Sequence, residues 1–148
     1  ITPEVEEMRD TFHFPGMKVL QLAFDNPKNA FLPHNFHPNV VVYTGTHDNQ
    51  TTVSWFKSCD RTTKQFVLEY LNSRGLAIHW DMIRLALSSS AKMAIIPLQD
   101  LLGLTDEEGR MNTPSLASGN WQWRFNEENL TLATAQHLRQ LVILFGRY

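Results

Sequence analysis

Residues 40–49 read Val40-Val41-Val42-Tyr43-Thr44-Gly45-Thr46-His47-Asp48-Asn49, and the meaning of this stretch decides the fold. Three consecutive valines and a tyrosine favour a pleated, packed backbone, so Val40–Thr44 is expected as a strand. No polar alternation interrupts it, as in parallel strands covered on both faces. After Asp48 the pattern turns helical, with a short helix expected over Thr51–Lys57.

Toward the N-terminus lies a polar, proline-bearing loop, Asp25–Asn39. Before it Met17–Phe24 (MKVLQLAF) is an apolar run expected as a second, largely buried strand. Pro15-Gly16 separates that run from a helix over Pro3–Thr11, with Thr2 as N-cap, Pro3 in the first helical position and Val5 and Met8 on one side. Ile1-Thr2-Pro3-Glu4 has no initiator methionine, cationic leader or cleavage signature, and reads as the middle of a longer chain.

Toward the C-terminus helices are expected over Thr62–Ser73, facing inward with Phe66, Val67, Tyr70 and Leu71, and over Ile78–Leu87, with Met82, Ile83, Leu85 and Ala86. Lys92–Pro97 (KMAIIP) is the third strand. A helical turn at Gln99–Leu102 ends at Gly103, and Thr105–Trp123 is an ordered loop. A final helix, Leu130–Phe145, places Leu138, Leu141, Val142 and Phe145 on one face, with Gly146 as its cap. Strands separated by helices and long loops imply parallel pairing through right-handed crossovers. The expected class is α/β, with about three parallel strands. That is too few for a closed barrel of eight, but it suits the last βα units of one.

At 148 residues the chain is long enough for one domain with a real core, and 43% hydrophobic against 19% charged residues describes a globular chain. A formal charge of −2 gives no electrostatic basis for binding nucleic acid or an anionic membrane. The longest uncharged apolar run is far too short for a membrane span. The single cysteine, Cys59, excludes an internal disulfide framework and is read as a structural thiol.

The chemistry concentrates after the second strand, because loops at the carboxyl ends of parallel strands converge on ligands. There His47 and Asp48 stand side by side. On the residues alone two readings stay open: both contact one ligand, or Asp48 caps the helix near Thr51 with His47 beneath it. Asp25 has the same ambiguity between facing the site and belonging to its loop. His34 and His37 are separated as a metal-binding pair can be, yet no further cluster completes a site, so no metal is expected. Asp106-Glu107-Glu108 reads as a solvated turn. Trp121 and Trp123 are read as packing residues rather than sugar platforms, and Arg124 as pinning their loop to the scaffold.

In order along the chain stand PGMKVLQLAF (15–24), LPHNF (32–36), VVYTGTHDN (41–49), AIIPLQDLLGL (94–104), RMNTP (110–114) and GNWQWR (119–124). Together they resemble the C-terminal portion of the amylomaltases, the 4-α-glucanotransferases of glycoside hydrolase family 77, over essentially the whole chain. The resemblance implies the C-terminal part of a (β/α)8 TIM barrel over residues 1–148. It also implies a parent enzyme that transfers α-1,4-glucan segments between maltooligosaccharides by a retaining route, without a cofactor. Three carboxylates serve such a site: an Asp nucleophile, a Glu acid/base, and a second Asp that holds the distorted donor sugar.

The resemblance maps that third carboxylate onto Asp48, its histidine neighbour onto His47, and an acceptor contact onto Asn112. The nucleophile and the acid/base have no counterpart here. The latter belongs to a Glu-Asp-Leu-Gly segment immediately before an Ile-Thr-Pro like the one opening this chain. Where Gln50 stands, family members usually carry an acidic residue. The isolated chain is therefore expected to be inactive. Self-association of a truncated barrel is expected, as is a location in the cytoplasm, or in a plastid for a plant source. The alternatives are a non-catalytic carbohydrate-binding module using Trp121, Trp123 and Asn112, and a purely structural piece.

Overall fold

A computed structural model describes residues 2–148; Ile1, which opens the Ile-Thr-Pro segment, lies outside them. Three strands form one parallel sheet in the order β1 (Gly16–Val19), β2 (Val40–Tyr43), β3 (Met93–Ile95). The register sets Met17 beside Val41 beside Met93, and Lys18 beside Val42 beside Ala94. The helices are α1 (Pro3–Thr11), α2 (Thr52–Ser58), α3 (Arg61–Leu71), α4 (Ile78–Ser88), α5 (Leu98–Leu101), α6 (Asp106–Gly109) and α7 (Leu132–Leu144). The expected α/β class and parallel pairing are what the chain adopts.

Alternation along β2 sends Val40 and Val42 to one face. There they join a core of Leu20 and Phe24, from the segment just after β1, and of Val67, Met82 and Ala86 from α3 and α4. The opposite face is open: Met17 and Met93 are each 52% exposed and Ile95 39%. A second small core, Ile83, Leu87 and Leu141, seats α7 on α4.

The first expected strand is corrected. The sheet keeps only Gly16–Val19, and Leu20–Leu22 forms a 3-10 turn. The spacing explains it: Leu20, Ala23 and Phe24, all buried, recur at i, i+3, i+4, a helical period that a strand cannot bury on one face. β3 is likewise shorter than Lys92–Pro97, ending before a proline that has no N–H for the ladder. α3 starts at Arg61 because Asp60 accepts from Thr63 N–H, and it stops at Asn72, which is left-handed with φ 48°. Within the expected loop Thr105–Trp123, α6 is a helical turn closed by a capping box between Thr105 and Glu108. Thr2 stands at the N-cap position of α1 without a side-chain bond, and Val5 and Met8 stay exposed, since α1 buries no residue.

Candidate active site

The carboxyl ends of β2 and β3 face the same way, so the loop after Tyr43 meets the long segment after Ile95. Two buried side chains brace the base of the first loop. Asp100, 2% exposed, accepts from the Thr44 hydroxyl at 2.5 Å and from Thr52 N–H at 2.7 Å. It thereby ties the end of β2 to the start of α2. Burial pushes the Asp100 carboxyl above its ordinary range, and the bonds from Thr44 and Thr52 and the nearby His79 only partly oppose this. Gln21 donates to Gln50 O at 3.0 Å and to Thr52 Oγ1 at 3.4 Å. Gly45 lies so close that a Cβ there would meet Gln21 Nε2 at 2.5 Å, so a larger residue would displace the Gln21 amide from its bonds to Gln50 and Thr52.

The loop tip is shaped by Asn49, whose Oδ1 accepts from Thr46 N–H at 3.0 Å and from its hydroxyl at 2.7 Å. This turn lifts His47 and Asp48 to the surface, with side chains 53% and 51% exposed and His47 Nε2 3.4 Å from Asp48 Oδ2. Asn112 arrives from the far segment. Its Nδ2 donates to Asp48 Oδ1 at 2.5 Å, and its N–H donates to His47 O at 3.2 Å. The three residues singled out by sequence, His47, Asp48 and Asn112, therefore come together across 64 residues of chain. The carboxylate of Asp48 faces an amide. The N-cap of α2 is Thr51 instead, accepting from Ser54 N–H.

Trp121 packs its indole on His47 at 4.9 Å between ring centroids and is 54% exposed, while its backbone N–H donates to Met111 O at 2.7 Å. It is thus a packing residue with one face open to solvent. Behind His47 and Trp121 lies a cavity of about 160 Å³, reaching Gln50, Asp100 and Arg110. That is small beside the ~300–1,000 Å³ of a typical ligand pocket.

Some expectations need correcting. Asp106 is not solvated: its carboxylate accepts from Thr51 N–H at 2.7 Å, from Arg110 Nη1 at 2.8 Å and from Gln50 Nε2 at 3.2 Å. The Thr105-x-x-Glu108 pattern marks the helix start at Asp106, but it carries no signal for the partners of that carboxylate. Arg124 donates to the carbonyls of Trp121 and Trp123, pinning the loop to itself rather than to the scaffold. Asp25 stays with its own loop, accepting from Asn29 Nδ2 at 2.6 Å, a bond that lowers its pKa. His34 goes to Tyr70 and Pro27, and His37 accepts from Asn39 N–H, so the two imidazoles serve different partners. Cys59 is half-buried, and burial raises its thiol, the opposite of an activated nucleophile. Asp100 and Gln21, buried polar residues at the base of the site, lie within the quoted motifs at 94–104 and 15–24, but nothing in the sequence pairs them with the loop after β2.

Residues 1–131 match the family described as 4-alpha-glucanotransferase, glycoside hydrolase family 77. The chain is 52% identical to the 4-alpha-glucanotransferase of Synechocystis sp., over 99% of this chain and 30% of that protein. It is 45% identical to the Thermus thermophilus enzyme, over 95% of this chain and 30% of that one. With the chloroplastic/amyloplastic enzyme of Arabidopsis thaliana it shares 45% identity over 99% of this chain and 26% of that one. The fold matches an amylomaltase from Streptococcus agalactiae, determined in complex with acarbose, with a TM-score of 0.93 and 29% identity, covering 99% of this chain and 30% of that one. The chain thus spans about 30% of the length of these relatives. By sequence and by fold, it belongs to the 4-alpha-glucanotransferase family.

Proposed function

We propose that residues 1–148 supply the last βα units of a (β/α)8 4-α-glucanotransferase, and with them one wall of its active site. Asp48 is the third carboxylate: it accepts hydrogen bonds from hydroxyls of the donor sugar as that ring distorts and positive charge develops. Such bonds strengthen in the transition state and so act on turnover more than on binding. His47 contacts the same sugar from the neighbouring direction, with Trp121 backing its ring. Asn112 offers its amide to the acceptor.

The observation that supports this reading is the bond from Asn112 to Asp48, which brings the two residues together at the carboxyl ends of two adjacent parallel strands. The substrates are α-1,4-glucans and maltooligosaccharides, in keeping with the acarbose held by the streptococcal relative. The plant relative named as chloroplastic/amyloplastic supports a plastid location for a plant source.

Asp48→Asn in the full-length enzyme is expected to cut kcat by at least about 10²-fold while KM moves far less. Near-normal turnover would return Asp48 to a structural role. The isolated 148-residue chain, without a nucleophile or an acid/base, is expected neither to disproportionate nor to hydrolyse maltotriose. Glucose release that vanishes in Asp48→Ala would overturn that.

A further inference from the structure

Behind the Asp48–Asn112 contact stands an ion pair that the proposed chemistry does not use. The Asp106 side chain is 17% exposed and that of Arg110 23%, with Nη1 2.8 Å from Oδ2. Asp106 is fixed on its other side by Thr51 N–H at 2.7 Å, and its own N–H donates to Ser54 Oγ at 2.8 Å. It is therefore anchored to the first turn of α2. From that anchor Arg110 spreads toward the site: Nε donates to Asn112 O at 3.0 Å and Nη2 to Asp48 O at 3.4 Å. One guanidinium thus holds the main chain of both residues whose side chains meet in front of it.

The planar fork of an arginine is suited to this, because its donors point in fixed directions where an ammonium would offer one compact charge. A partly buried pair is also less screened by salt than an exposed one. Gln50 completes the surroundings with an uncharged amide donated to Asp106 at 3.2 Å, so a single carboxylate faces the guanidinium.

We propose that Asp106 and Arg110 are a positioning pair for the transfer reaction: Asp106 orients Arg110, and Arg110 sets the separation and direction of Asp48 and Asn112. The inference rests on the reading of Asp48 and Asn112 given above. In this role the pair acts through Asp48 and Asn112, whose main chain Arg110 holds, and not by contact with sugar. Their effect is on the geometry of groups that act in the transition state, where a ~1 Å displacement can cost ~10²-fold in rate.

The test uses the full-length enzyme. Asp106→Asn keeps an acceptor for Thr51 N–H but removes the charge that orients Arg110. Arg110→Lys keeps a cation but loses the fork. Each is expected to lower kcat about ten-fold or more and to leave KM for the donor within about two-fold, the split expected of groups acting in the transition state. The double variant should fall no further than the worse single one, because the two act as a unit. Unchanged kcat in either soluble single variant, or effects that multiply in the double, would overturn the proposal. If Asp106→Asn fails to fold, Arg110→Lys decides alone.

Asp48→Asn measured alongside separates the two readings. A collapse of kcat in Asp48→Asn with none in Asp106→Asn or Arg110→Lys defeats the positioning pair and leaves Asp48 in its role. Unaltered kcat in Asp48→Asn defeats both.

Discussion

At the scale of single residues, Asp100 shows how a carboxylate can be costly and still be kept. It is buried at 2% exposure, and its two acceptor oxygens satisfy the Thr44 hydroxyl and the Thr52 N–H, both of which would otherwise lie unpaired in the interior. Because burial raises its pKa above the ordinary 3.8, the folded state holds more protons than the unfolded state between that pH and the raised value. Stability contributed through Asp100 is therefore greatest in acid and is lost as pH rises through the raised value. Asp100→Asn removes this titration, so its unfolding free energy relative to the parent chain should climb with pH across that window and then level off. Asp100→Ala strands both donors and should cost about 1–3 kcal/mol over the whole range. Urea unfolding at a series of pH values checks both. A difference between Asn and Asp that does not vary with pH would show that burial does not hold the proton on Asp100.

Among the elements, the ends carry as much information as the faces. α2 begins where Thr51 accepts from Ser54 N–H and α3 where Asp60 accepts from Thr63 N–H, so the loop of the site is followed at once by capped helices. The other end of α4 is closed from a distance. Arg147, just beyond α7, donates to the carbonyls of Leu87, Ser89 and Ala91, and Gly146, with φ 62°, lets the chain turn back to do so. These carbonyls close α4 and lead into β3, so Arg147 locks α7 and α4 against the third strand. Arg147→Met keeps most of the aliphatic bulk but leaves three partly buried acceptors unmet. It should destabilise the fold by about 1–3 kcal/mol, read as a lower urea midpoint. No change in midpoint would mean that water replaces the guanidinium at no cost.

For the whole molecule, the open side of the sheet is the dominant feature. Met17, Met93 and Ile95 on that face are substantially exposed, and Phe12 and Phe14, 64% and 62% exposed, stack on each other at 6.1 Å just before β1. α7 does not relieve this, since it rests on α4 through Leu141, Ile83 and Leu87. Both outer strands also present unpaired backbone edges. The isolated 148-residue chain is therefore expected to self-associate, since an uncovered apolar face and open edges are both satisfied by a second chain. Light scattering over a range of concentrations measures it, with binding of a hydrophobic dye as the companion reading. A monomer throughout, without dye binding, would mean that the open face is covered in solution.

Wherever local physics decides alone, the structure was already legible in the sequence. The valine run of β2, the helical spacing of Met82, Ile83 and Ala86 in α4, and the Gly146 stop after α7 each follow from side-chain shape and backbone freedom within a few residues. Family motifs then pointed to His47, Asp48 and Asn112. What the sequence could not supply was partnership between distant residues. Asp106 reads as one more acid in a polar run until α6 turns it against Thr51 and Arg110. Asp100 reads as a helix residue until Thr44, 56 positions away, donates to it. Even Met17–Phe24, strand-like by composition, divides into strand and 3-10 turn because Leu20 and Phe24 must reach the core beneath the helices. Such contacts depend on where parallel strands set down the loops at their ends, and only the tertiary structure decides that, because hydrogen bonds are directional and act only between groups the fold has already brought within reach.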